Sequence, residues 1–193
     1  MRPLIDSSEY VVYLPCGTTK IGMRIDGKPA YEWDLANPQI VVQKIEKIAD
    51  NNAVDRSRIY LTGISAGGQM AYVVGIEKPD LFAGLVCFSG FVNKRYLNQI
   101  KVDQAKTHLP MFVIHGLHDD SVSLAAGRNA ANYFRKEGFQ VKWKTFAGGH
   151  TLPSDLKENI VEATTWFGTM SQNASFVEDR GLLPNKAAAG DGK

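Results

Sequence analysis

Short runs of β-branched and aromatic residues alternate along the chain with longer segments whose apolar residues recur every three or four positions. The short runs predict strands at Tyr10–Leu14, Arg58–Thr62, Ala83–Phe88, Met111–His115 and Gln140–Phe146. Between the first two, Pro38–Asn51 places Ile40, Val41, Ile45 and Ile48 at helical spacing. A second helix is predicted from about Ser65, carrying Met70, Val73 and Val74 toward the sheet. A third is predicted over Ser123–Lys136, with Leu124, Ala131, Tyr133 and Phe134 on its apolar side. The last is predicted over Pro153–Met170, with proline in the first turn, where a missing N–H costs little. Such alternation builds an α/β fold, a mainly parallel sheet of about five strands flanked by helices. The pattern dissolves after Met170, so one domain over residues 1–170 and a poorly ordered tail over 171–193 are expected.

Composition narrows the function classes. The chain has 193 residues, 44% of them hydrophobic and 22% charged, enough for a core. Lys and Arg number 22 against 20 Asp and Glu, a net charge of +2, which leaves no basic excess to neutralise phosphates. Neither nucleic-acid nor membrane partners are expected. The basic-leaning stretch Lys94–Lys106 reads as a solvated face. Two cysteines, Cys16 and Cys87, make no disulfide scaffold, and Cys87 sits in an apolar run as a buried small hydrophobe. MRPLIDSSEY has no apolar h-region, and Leu81–Val92 falls short of a membrane span. A soluble, by default cytoplasmic, chain is expected.

Chemistry enters at Gly63-Ile64-Ser65-Ala66-Gly67, which follows a predicted strand and opens a predicted helix. This is the G-x-S-x-G turn that holds a serine strained and projecting above a sheet. Side chains at 63 and 67 are expected to collide with neighbouring backbone. A nucleophilic serine needs a base, and the base an orienting acid, in the chain order Ser, Asp or Glu, His. The strand Met111–His115 runs into Gly116-Leu117-His118-Asp119-Asp120, offering Asp119 or Asp120. The strand Gln140–Phe146 runs into Ala147-Gly148-Gly149-His150, offering His150 as base. His115 ends its strand and is expected to help hold the acid loop. A metal reading would gather His115, His118, Asp119 and Asp120, but two histidines three apart on a loop share no face, and no further ligand is signalled. No metal and no cofactor are expected.

Val54-Asp55-Arg56-Ser57-Arg58-Ile59-Tyr60-Leu61-Thr62-Gly63, leading into Ile64-Ser65-Ala66-Gly67-Gly68-Gln69-Met70-Ala71, resembles the α/β-hydrolase esterases of the polyhydroxybutyrate-depolymerase and feruloyl-esterase type. It is also similar to the phospholipase/carboxylesterase group. Pro79-Asp80-Leu81-Phe82-Ala83, His115-Gly116-x-x-Asp119-x-x-Val122 and Gly149-His150-Thr151 fit the same pattern, so the resemblance spans roughly residues 8–170. It implies a serine carboxylic-ester hydrolase with Ser65, Asp119 and His150 as its triad. In these families the acid stands four residues after the histidine of the His-Gly pair, which selects Asp119 over Asp120.

The resemblance also marks a departure. One oxyanion donor would be the backbone N–H of Ala66, and the second usually follows an upstream His-Gly pair, which this chain lacks. Tyr10–Leu14 resembles the strand after the oxyanion strand, so the resemblance implies a chain without the usual N-terminal strands. Either the loop Pro15–Thr19 supplies the donor through Cys16 or Gly17, or the chain is truncated and its unpaired sheet edge invites a homodimer. The segment Ser89–Leu109 is short for a cap domain, which favours small or solvent-presented esters. Trp33, Tyr96 and Leu152 are candidate pocket walls. The competing classes are a non-catalytic α/β-hydrolase-like binding module and a peptidase or thioesterase with the same machinery.

Overall fold

The computed structural model describes residues 10, 12–15, 17–23, 26–51, 54–106 and 108–179. An antiparallel hairpin comes first, β1 (Thr19–Met23) against β2 (Pro29–Glu32). Then α1 (Gln39–Asn51), β3 (Tyr60–Ile64), α2 (Ala66–Glu77), β4 (Gly84–Phe88), α3 (Gln99–Ala105), β5 (Met111–Gly116), α4 (Leu124–Lys136), β6 (Val141–Phe146) and α5 (Leu156–Asp179) follow. Strands β3, β4, β5 and β6 form one parallel sheet in chain order.

Side-chain alternation along these strands divides the core into two layers. Leu85, Cys87, Met111 and Val113 point to one face, where α1, α2, α3 and α4 supply Val41, Val42, Tyr72, Val74, Val102, Ala131 and Phe134. Val86, Phe88, Phe112 and Ile114 point to the other, covered by Leu156, Ile160, Ala163 and Phe167 of α5. Helix α2 is buried continuously from Gly68 to Ile76 rather than along one stripe. It lies sandwiched between the sheet and its neighbouring helices. Its Gly75 allows the approach, because a Cβ there would stand 2.8 Å from Leu109 and 3.2 Å from Leu85. Gly84 does the same opposite α5, where a Cβ would meet the Phe167 ring at 2.4 Å.

Four of the five expected strands are present, with β3 beginning and ending two residues later than the pattern suggested. The exception is Tyr10–Leu14. Residues 10 and 12–14 have no strand partner, and Tyr13 and Leu14 are about half exposed. A β-branched run makes a strand only where a sheet edge accepts its ladder, and propensity alone does not supply one. Val12 nevertheless packs on the α5 side of the core. The β1–β2 hairpin is not among the expected elements, although Asp26-Gly27 marks its turn; Gly27 sits at φ +76, which the turn requires. Ser123 caps α4 by accepting the Ala126 N–H, as the helix start at that serine suggests. Helix α5 runs past the expected helix end at Met170 to Asp179, and residues 180–193 of the expected tail lie outside the described ones.

Candidate active site

Parallel strands deliver their C-terminal ends to one rim, where ligands of open α/β sheets bind. Ser65 leaves β3 there, Ser89 leaves β4, Asp119 follows β5 and His150 follows β6.

Ser65 has φ 57 and ψ −123, a conformation that a non-glycine residue adopts only when its surroundings enforce it. Here the Ser65 N–H donates to the Phe88 carbonyl at 3.0 Å, and its carbonyl accepts from Gln69 at 3.0 Å. The hydroxyl makes no cap bond to α2, so it stays available. Crowding falls differently from the motif's simple reading. A Cβ on Gly63 would stand 2.2 Å from the Gly67 carbonyl oxygen, so glycine is required there. A Cβ on Gly67 would meet nothing nearer than Trp33 Nε1 at 3.8 Å, an ordinary contact. The second crowded glycine is Gly68, whose Cβ would stand 2.7 Å from Cys87 Sγ.

The Asp119 side chain is fully buried. Its Oδ1 accepts the N–H groups of Val122 at 2.8 Å and Ser121 at 3.0 Å. His150 Nδ1 lies 3.0 Å from Oδ1 and 2.9 Å from Oδ2. Burial acts to raise this carboxyl's pKa, but the hydrogen bonds from His150 and Val122, with smaller contributions from Ser89 and Ser121, outweigh it and hold the group well below the usual carboxylate range. An ionised Asp119 accepts only, so Nδ1 carries the hydrogen, and neutral His150 bears its lone pair on Nε2. No hydrogen bond joins Ser65 to the His150 ring among the described residues; such bonds commonly tighten only once substrate is bound.

The two loops are tied together by backbone. His118 N–H donates to Gly148 O at 2.9 Å, and Leu117 N–H to Phe146 O at 2.9 Å. Gly116 permits this, since a Cβ there would lie 2.3 Å from Gly149 O. His115 is wholly buried, and its Nε2–H donates to Val122 O at 2.8 Å while standing 3.5 Å from Asp119 Oδ2. It thereby pins the loop whose Val122 N–H holds the carboxylate, and its ring stacks on Trp143. Asp120 is exposed and accepts from Ser121 Oγ instead.

Of the oxyanion candidates, Ala66 heads α2, where the first amides have no intrahelical acceptor. Gly17 packs against Glu32 at the end of β2, where a Cβ would meet its carbonyl oxygen at 2.5 Å. Cys16 lies outside the described residues. Among the wall candidates, Trp33 reaches Gly67 as noted, and Leu152 lines a small apolar pocket of about 30 Å³ with Thr62, Ile64, Phe88, Leu156 and Ile160. Tyr96 lies beneath the Arg95 guanidinium on a 3-10 turn. A larger groove of about 650 Å³, between Phe91, Lys94 and the Tyr133 side of α4, is lined by none of Ser65, Asp119 or His150. The residue missed in the sequence is Ser89; a Ser-Gly pair at the carboxyl end of a strand was its signal.

A serine at a strained strand-to-helix turn, on the same rim as a buried Asp–His pair, defines the α/β-hydrolase class. The chain belongs to the phospholipase/carboxylesterase family, whose model matches residues 36–165. It is 30% identical over 105 residues to acyl-protein thioesterase 1 of Gibberella zeae, covering 52% of this chain and 45% of that protein. It is 26% identical over 155 residues to a probable SOBER1-like carboxylesterase of Arabidopsis thaliana, covering 77% and 56% respectively. The chain thus spans about half the length of these curated relatives. The crystal structure of Arabidopsis thaliana SOBER1 superposes with a TM-score of 0.65 at 18% identity, over 88% of this chain and 89% of that one, which establishes likeness of fold. No helix among the described residues is long and apolar enough to cross a membrane.

Proposed function

We propose that the chain hydrolyses carboxylic esters through an acyl-enzyme, with Ser65 as nucleophile, His150 as general base and acid, and Asp119 as the orienting carboxylate. The observation that carries this reading is the grip of the buried, ionised Asp119 on His150 Nδ1, on the rim that also presents the strained Ser65. Ser65 Oγ bonds to the ester carbonyl carbon while its proton passes to His150 Nε2. The carbonyl oxygen takes the negative charge, facing the Ala66 N–H at the positive end of α2. The C–O bond to the alcohol then breaks, and His150 protonates the departing oxygen. Water, deprotonated by the same nitrogen, releases the acid and restores Ser65.

The leaving group is held by none of these residues, so a thioester would be cleaved by the same steps. The thioesterase relative favours including it in the substrate class. A second donor from Gly17 or Cys16, and a homodimer across the edge of β3, which among the described residues pairs with β4 alone, belong to the same proposal. The test is hydrolysis of short p-nitrophenyl esters by the chain and by Ser65→Ala. Turnover that disappears in the variant supports the proposal. Equal rates in the two would sink it and leave the binding-module reading.

A further inference from the structure

Ser89 is fully buried, follows β4 directly and has φ 45, so a side chain occupies a conformation that glycine would adopt at lower cost. Its N–H donates to Ile114 O at 2.8 Å, which fixes it beside the end of β5, from which the Asp119 loop departs. Its Oγ is buried without a hydrogen-bond partner in the resting structure, although Ser89 is among the groups that hold the Asp119 carboxylate ionised. A buried hydroxyl left unpaired is unfavourable, and a carboxylate is the strongest acceptor within its surroundings.

We propose that Ser89 is a positioning residue for Asp119, its hydroxyl turning onto the carboxylate as positive charge develops on His150 and keeping both oxygens aimed at Nδ1. This rests on the role assigned to His150 above. The other titratable groups around the carboxylate are His115 from β5 and His118 and Asp120 on its own loop. Val122, Ser121 and His150 hold the acid at rest, and Ser89 supplies the additional donor that the charged pair needs.

The experiment compares Ser89→Gly and Ser89→Ala. Glycine relieves the backbone strain, alanine keeps it, and both remove the hydroxyl. Each is placed in the Ser65→Ala chain, and the ring C–H resonances of His150 are followed by NMR against pH, a readout independent of turnover. The hydroxyl is engaged when the pair is charged and idle when His150 is neutral, so its loss disfavours the imidazolium and the His150 midpoint should fall by about half a unit or more in both variants. In the chain with Ser65 intact, kcat for a p-nitrophenyl ester should fall about tenfold with KM unchanged, and the acid limb of the pH profile should move downward. Midpoints equal to the parent's in both variants overturn the proposal. So does a shift confined to glycine, which would assign the effect to relief of backbone strain. Absence of any Ser65-dependent turnover in the parent would instead count against the hydrolase reading, while the NMR comparison still decides the role of Ser89.

Discussion

Replacing Asp119 by asparagine tests the site most sharply, because the structure dictates how the new amide must face. Oδ1 accepts backbone N–H groups from Val122 and Ser121, at 2.8 and 3.0 Å, so an amide NH₂ placed there would oppose two donors. The amide oxygen must therefore take the Oδ1 position, leaving the NH₂ at Oδ2, where His150 Nδ1 stands 2.9 Å away. A donor facing Nδ1 selects the imidazole tautomer with a bare Nδ1 and a protonated Nε2. That tautomer cannot take a proton from Ser65, although the fold and the substrate surface are untouched. The expected loss in kcat is about 10³–10⁴, or about 4–5.5 kcal/mol in the barrier, with little change in KM. Steady-state kinetics on a p-nitrophenyl ester, with circular dichroism to verify folding, measures it. Asp120→Asn is the matched control, because its carboxylate is exposed and contacts Ser121 Oγ alone among the described hydrogen bonds; it should leave kcat unaltered. A folded Asp119→Asn chain within tenfold of the parent, or an equal loss at Asp120, would refute the assignment.

The same carboxylate should make stability depend on acid. Its pKa is lowered on folding, so its contribution is complete above the unfolded value of about 4 and drains away as pH falls through that value toward the native one. Thermal melts between pH 5 and pH 2.5 (about the range over which carboxylates protonate) should show a shallower loss of Tm for Asp119→Asn than for the parent; parallel curves would contradict this. At the elbow, Gly63→Ala drives a Cβ into the Gly67 backbone and should abolish activity, whereas Gly67→Ala makes only an ordinary contact with Trp33 and should be tolerated, raising helix stability by at most about 1 kcal/mol. Matched Tm and kcat measurements distinguish them, and a tolerated Gly63→Ala would show that the strand-to-helix turn is built otherwise. Phe167→Ala removes the ring that covers Gly84 and should destabilise the chain by about 3–5 kcal/mol in urea unfolding, provided its m-value is unchanged. If β3 pairs with a second copy, sedimentation should show a concentration-dependent dimer; a monomer at all concentrations removes that part of the proposal.

The parallel core of the fold was legible because four strands are short runs rich in β-branched and aromatic residues and their connections have helical spacing, two periods that rarely imitate one another. The positions of Ser65, Asp119 and His150 were legible for a related reason: each follows a strand whose end the pattern locates, and all four parallel strands must end on one rim. What escaped depends on contacts between segments distant in sequence. Tyr10–Leu14 has the composition of a strand, yet a strand is a property of a pair, and nothing local states which edge is free. The crowding at Gly68 rather than Gly67 arises from Cys87 on the adjacent strand, which no reading of five residues contains. Ser89 was hidden in the same way. Its hydroxyl becomes informative only once β4 and β5 lie side by side and bring it toward an acid thirty positions further along the chain. The motif therefore locates the residues that would react, while the residues that hold them emerge from the order of strands in the sheet.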